Sequence, residues 1–196
     1  MSRPHEWVKL SPGDWTPYKH APPIHFEEQP LMYPATGNTC LVSSFASALH
    51  LAGFESTATA LIEQVDRLKQ GTKLVTKFIH FVNGTKTRNA NGDKMVLIAK
   101  THFDIVNGPG PAVVILQGSD CSVTHAVAVF DKYLIDASWN YAMPRTQENL
   151  NWSCSPAVFL APSVVYVLEP TPNRGGGHRK KKRRRGSRSK KQKRKR

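Results

Sequence analysis

The chain has 196 residues and a mass of 21.9 kDa, the size of one domain with an appendage. Its 28 Lys+Arg face 14 Asp+Glu, a formal net charge of +14, but 15 of those bases fall in residues 174–196, where there is no acid. The first 173 residues keep 13 bases and 14 acids, a net of −1, which excludes a uniformly basic nucleic-acid-coating protein; their apolar content excludes a wholly disordered chain.

Residues 1–36 are rich in Pro, His and aromatics, with prolines at 4, 12, 17, 22, 23, 30 and 34. Such density forbids a helix and predicts an extended segment packed on a core by Trp7, Trp15, Tyr18, Phe26 and Tyr33. Residues 40–52 predict a helix. Leu41, Phe45, Leu49 and Ala52 form its apolar stripe, Asn38 or Thr39 can cap it, and Gly53 ends it. A second amphipathic helix is expected over 56–69, with Leu61, Ile62, Val65 and Leu68 inward and Gly71 as the stop. Lys73–Val82 reads as helix or strand, 84–92 as a polar turn region, and Met95–Ala99 as a strand. Four short β-branched strands follow: Pro111–Gln117, Thr124–Phe130, Tyr133–Ala137 and Ser163–Glu169. Residues 140–162 read as a long irregular loop. Helices first and strands later predict an α+β domain over 37–169, followed by a Pro/Gly linker and a disordered basic tail over 170–196.

The longest apolar runs, such as Ala112–Leu116, are far below the ~18 residues of a membrane span. The opening Met-Ser-Arg-Pro-His-Glu-Trp has no apolar signal region, and three cysteines give no disulfide framework; both predict an intracellular setting.

Cys40 stands at the start of the first helix, where the positive end of the helix dipole favours thiolate. It lies off the apolar stripe, on the side of Ser43 and Ser47; the plainer reading is a small buried hydrophobe. His125 opens the strand His-Ala-Val-Ala-Val-Phe, which turns at Asp131-Lys132 and returns as Tyr-Leu-Ile-Asp-Ala-Ser. A two-residue loop pairs Phe130 with Tyr133 and Val129 with Leu134. Extending that register sets Val127 opposite Asp136 and His125 opposite Ser138, so His125 and Asp136 are diagonal neighbours on one face. A carboxylate so placed fixes the tautomer of the imidazole and stabilises its cation, as in a hydrolytic triad; the plainer reading is a surface pair near a hairpin end. Cys121-x-x-x-His125, with Cys154 and His102, has zinc-like spacing, but a structural zinc needs two such pairs and only one exists.

A cysteine at a helix start, followed by His-Ala-Val-Ala-Val and then Tyr-Leu-Ile-x-x-Ser-Trp, resembles the papain-like cysteine peptidase superfamily. The chain order Cys40, His125, Asp136 is that of the superfamily, and the resemblance covers roughly residues 31–169. It implies a papain-like fold, with an N-terminal central helix followed by an antiparallel sheet, and cofactor-free hydrolysis of peptide or isopeptide bonds in a protein substrate. Cys40 would be the nucleophile, His125 the base and Asp136 its orienting partner. The sequence departs from the pattern in three places. Pro34 stands where the family has its oxyanion glutamine, Gly37-Asn38-Thr39-Cys40-Leu41-Val42 replaces the usual nucleophile context, and strict alignment puts Ala137 at the third position. Asn38 is the best side-chain oxyanion donor, with Gln29 behind it, alongside the Cys40 backbone N–H. Trp139 either screens the His–Asp pair from water or belongs to the core. Gly-Asn-Thr-Cys-Leu is also similar to ovarian-tumour-type deubiquitinases, whose His lies in a different context.

The basic clusters within 178–196 resemble a bipartite nuclear-import signal. They predict a nuclear location and an import receptor, or RNA or DNA phosphates, as partner, without base stacking because no aromatic interleaves them. The alternative is a non-catalytic nucleic-acid-associated protein of viral or mobile-element type, working through this tail.

Overall fold

A computed structural model describes residues 8–9, 26–36, 39–69, 73–118, 124–153 and 159–171. The expected basic tail, the Gly71 stop and most of the N-terminal segment lie outside these residues. In chain order the elements are β1 (Val8–Lys9), β2 (Leu31–Met32), α1 (Cys40–Leu51), α2 (Glu55–Glu63), α3 (Val65–Lys69), α4 (Leu74–Gly84), β3 (Met95–Lys100), β4 (Ala112–Gly118), β5 (Thr124–Phe130), β6 (Tyr133–Asp136), β7 (Tyr141–Pro144), α5 (Gln147–Ser153) and β8 (Phe159–Pro170). The fold is α+β: four helices precede a six-stranded, wholly antiparallel sheet of order β3-β8-β4-β5-β6-β7.

Strands β4 and β5 read as continuous apolar runs because both faces of the sheet are covered. Val113, Ile115, Ala126, Ala128, Ile135 and Ala142 face the layer built on α1. Val114, Leu116, Val127, Val129, Leu134 and Met143 face a second layer completed by Leu150 and Trp152 of α5 and by Phe103 and Ile105. The residues that β5 offers to α1 are alanines, which lets the helix axis come close to the sheet.

Helix α1 departs from the expected one-sided stripe. Every residue from Leu41 to Leu49 is buried, the serines included. Serine hydroxyls can be buried because each finds a partner. Ser47 Oγ accepts the Tyr33 N–H and donates to Ser43 O, and Ser43 Oγ donates to Pro34 O. The serine side of the helix is therefore the bed on which the incoming segment 33–36 lies. Thr39 is the N-cap residue, but its hydroxyl serves Thr36, accepting from the N–H and donating to the carbonyl, and makes no side-chain cap bond to the helix. Gly53, at φ 81°, ends the helix as expected, with Phe54 N–H reaching back to Leu49 O.

Three further readings change. The second helix is broken at Gln64 into α2 and α3, although Leu61, Ile62, Val65 and Leu68 are all buried as expected. Residues 73–84 resolve to helix, since Phe78 and Val82 recur at helical spacing on the buried face. The stretch 140–162 is no irregular loop: it holds β7, α5 and the start of β8. Asn140 takes a left-handed turn, φ 55°, and sends the chain straight back beside β6. Asparagine tolerates that conformation, and no glycine advertised it. Of the N-terminal segment, Gln29, Met32 and Tyr33 are buried, as a packed-down segment requires, and the Phe26 ring lies 5.0 Å from that of Tyr133.

The close helix–sheet approach is testable. Ala128→Leu inserts a branched side chain between α1 and β5 at a fully buried position and should cost about 1–3 kcal/mol, read as a lowered thermal midpoint.

Candidate active site

Two strands and one helix end bring the candidate residues together. The hairpin of β5 and β6 has the expected register, with Phe130 opposite Tyr133, Val129 opposite Leu134 and Ala128 opposite Ile135. Its two-residue loop is closed by Asp131 at φ 49°. His125 and Asp136 consequently share a face, and His125 Nε2 lies 2.9 Å from Asp136 Oδ2. The His125 side chain is 9% exposed and that of Asp136 is fully buried, so this is an internal pair and not a surface one. The second carboxylate oxygen, Oδ1, accepts the Ser138 N–H at 3.2 Å. Both oxygens of the buried carboxylate are thus engaged, which fixes the plane that Nε2 meets.

Beyond Ala128 and Ile135 the ladder is interrupted. The next rung would join Ala126 and Ala137. In its place α1 enters the gap: Ser44 Oγ accepts the Ala137 N–H at 3.1 Å and donates to Ala126 O at 3.4 Å. Ala137 O accepts the Ala35 N–H at 3.0 Å. The expected pairs Val127–Asp136 and His125–Ser138 are not ladder pairs, although the parity that aligns His125 with Asp136 survives. Neither the Ser44 bridge nor the Ser138 N–H was foreseen. The only signal for the first was the placement of Ser44 four residues after Cys40, which the neighbouring Ser43 and Ser47 do not share.

Cys40, the first residue of α1, is half-buried, with the His125 ring and the Ala126 N–H near enough to act on its thiol. With Nε2 held by Asp136, Nδ1 is the ring nitrogen that serves the sulfur. Burial works to raise the Cys40 thiol, but the hydrogen bond and positive charge of His125, with the Ala126 N–H, outweigh it and hold the thiol below its ordinary value. Burial works to lower the His125 imidazole, but the Asp136 carboxylate, by charge and hydrogen bond, pushes it up to about 10, with Cys40 adding to the effect. Both shifts favour a thiolate–imidazolium pair at neutral pH.

Asn38, expected to donate to an oxyanion, lies outside the described residues. Gln29 is buried, and its Oε1 accepts the Ala142 N–H of edge strand β7 at 2.9 Å. Trp139 follows the Asp136–Ser138 turn, and its ring packs edge-on to Trp152 at 6.3 Å. Cys121 and Cys154 lie outside the described residues, and His102 is exposed. Among the described residues no three His, Cys, Asp or Glu side chains gather as metal ligands, and no helix is long and apolar enough to cross a membrane.

The electrostatics predict a pH signature. Alkylation of Cys40 should stay fast well below pH 9.0, the thiol's ordinary value. In Asp136→Asn, only Cys40 is left to oppose the effect of burial on His125, so alkylation at pH 6.5 should fall at least ~10-fold and its midpoint should rise. The raised His125 also carries stability. That contribution is complete below about pH 6.5, where the unfolded imidazole is charged too, and is lost as pH rises through about 10. The gap in thermal midpoint between the wild type and Asp136→Asn should therefore be widest near pH 6 and narrow toward pH 10.

No family model, curated protein or solved structure matches this chain.

Proposed function

We propose that the chain is a cysteine-dependent hydrolase of papain-like type, cleaving peptide or isopeptide bonds in protein. The observation that carries this reading is the buried His125 ring, hydrogen-bonded to the buried Asp136 carboxylate and acting on the Cys40 thiol at the start of α1. A structural cysteine needs neither an imidazole nor a buried carboxylate behind it, whereas an activated nucleophile needs both.

In this reading the Cys40 thiolate attacks the scissile carbonyl carbon, and the carbonyl oxygen becomes an oxyanion. Its donors are the Cys40 backbone N–H, at the positive end of α1, and the Asn38 side chain. The tetrahedral intermediate collapses, the C–N bond breaks, and the His125 imidazolium gives its proton to the departing amine. A thioester on Cys40 remains. His125, now neutral, takes a proton from water as the water attacks the thioester. The acid leaves and the thiolate–imidazolium pair is restored. Asp136 holds the ring through Nε2 in both steps. No cofactor takes part.

The basic residues 178–196 direct this activity to the nucleus, through an import receptor or through RNA or DNA phosphates. The partition of charge supports a separate role for the tail: a polycation is joined to a body of net −1.

A thiol electrophile at pH 6.5, followed by peptide mapping, tests the nucleophile. Cys40 should be modified at least ~10-fold faster than in the unfolded chain. Hydrolysis of a peptide library should be abolished in Cys40→Ala. Cys40 modified no faster than an ordinary thiol, or cleavage that survives Cys40→Ala, overturns the proposal. The tail is tested apart. A chain ending at Thr171 keeps β8 intact and falls in net charge from +14 to −1. It should retain thiol reactivity and lose salt-dependent binding to RNA, measured at two ionic strengths. Binding that persists would assign nucleic-acid contact to the body and favour the non-catalytic alternative.

A further inference from the structure

We infer that Ser44 is a positioning residue for the proposed triad: its hydroxyl holds the strand carrying His125 and the strand carrying Asp136 apart so that Cys40 can enter between them. This rests on the hydrolase reading and adds to it a residue that touches neither substrate nor reacting atoms.

Three placements converge on one hydroxyl. Ser44 lies four residues after Cys40, one turn further along the same face of α1. The carbonyl it donates to belongs to Ala126, next to His125, and the N–H it accepts belongs to Ala137, next to Asp136. One fully buried side chain thus links the helix of the nucleophile to the neighbours of both its partners. A hydroxyl suits the task because it donates and accepts at once.

The alternative arrangement is an ordinary sheet. Two links of 3.1 and 3.4 Å stand where a single N–H···O bond of about 2.9 Å would close the rung. Without the hydroxyl, Ala137 N–H and Ala126 O either close on each other or remain buried and unpaired. Closure draws β6 toward β5 and shifts Asp136 relative to His125, which it now meets at 2.9 Å. Displacements of this size, about 1 Å at the reacting groups, cost on the order of 100-fold in rate.

Ser47 supplies the control. It is equally buried on the same helix and also accepts a backbone N–H, that of Tyr33, yet its hydroxyl bonds to neither triad strand. Ser44→Ala should raise the pH midpoint of Cys40 alkylation by about one unit, a ~10-fold loss at pH 6.5, and lower kcat with little change in KM. Ser47→Ala should lower the thermal midpoint comparably and leave the alkylation profile in place, while Ser44→Thr, which keeps the hydroxyl, should recover part of the Ser44→Ala loss. A folded Ser44→Ala with the wild-type profile and kcat overturns the inference, as does a Ser47→Ala shift of equal size. If Ser44→Ala does not fold, hydrogen exchange at the Ala137 amide of the unmodified chain gives the reading. Support of the ion pair by Ser44 must be reciprocated, so alkylating Cys40 should speed that exchange; unchanged exchange overturns the inference. A wild-type thiol that lacks the low-pH limb would defeat the hydrolase reading and this inference together, whereas a wild-type limb unmoved by Ser44→Ala defeats this inference alone.

Discussion

A carboxylate with no exposure to water constrains everything around it. A buried carboxylate needs donors for its oxygens, and Asp136 finds two: the Ser138 N–H and the His125 ring. The first comes from the turn that follows β6 and ties the carboxylate to its own strand. The second reaches across to β5 and holds a proton on an imidazole that burial alone would strip. The imidazolium in turn stabilises a negative sulfur at the start of α1. Each charge is tolerated because of the next, and the sequence of dependence runs from the buried acid to the half-buried thiol.

That chain of charges needs a helix end at a place where a sheet would ordinarily be closed. The fold supplies it by burying α1 on all sides and giving the helix serines in place of larger apolar residues. Ser43 and Ser47 bind the segment 33–36 that leads into Cys40, and Ser44 occupies the missing rung. Alanines at 126 and 128 let the helix approach, and Ala35 takes the carbonyl of Ala137 that the interrupted ladder released. The same polar atoms that satisfy the core therefore also define the opening of the site. The fold and the candidate site are one hydrogen-bond pattern.

The parts of this arrangement that were legible in the sequence are those governed by parity and loop length. A two-residue connection at Asp131-Lys132 and strict alternation in β5 suffice to put His125 and Asp136 on one face, and the hairpin has that register. The position of Cys40 at a helix start was legible for a similar reason, since Gly53 and the periodicity of Leu41, Phe45 and Leu49 frame the helix. The serine side of α1 was not, because an amphipathic pattern reads serine as the solvent side, and only tertiary partners reverse that. The turn into β7 was missed because asparagine, not glycine, takes the left-handed conformation at 140, and β7 is only four residues long. Helix α5 was hidden by its length of seven residues, too short for periodicity to stand out. The break at Gln64 leaves every buried position of the 56–69 segment where periodicity put it, so nothing in the pattern marked it.

The interrupted rung also bears on how the half-buried Cys40 approaches His125. A sheet that closed fully would seal His125 between β4, β6 and the residues of the second layer, with no group of α1 able to reach it. Opening the ladder after Ala128 leaves the inner hydrogen bonds of the hairpin intact, so the gap is confined to one rung, of which Ser44 takes up the Ala137 N–H and the Ala126 carbonyl and Ala35 takes up the Ala137 carbonyl. The hairpin loop, the three remaining pairs and the β4–β5 ladder keep His125 rigid, while the thiol approaches from the helix, an element with its own anchoring in the core. Cys40 and His125 are thus carried by separate elements, the start of α1 and strand β5, each anchored in the core.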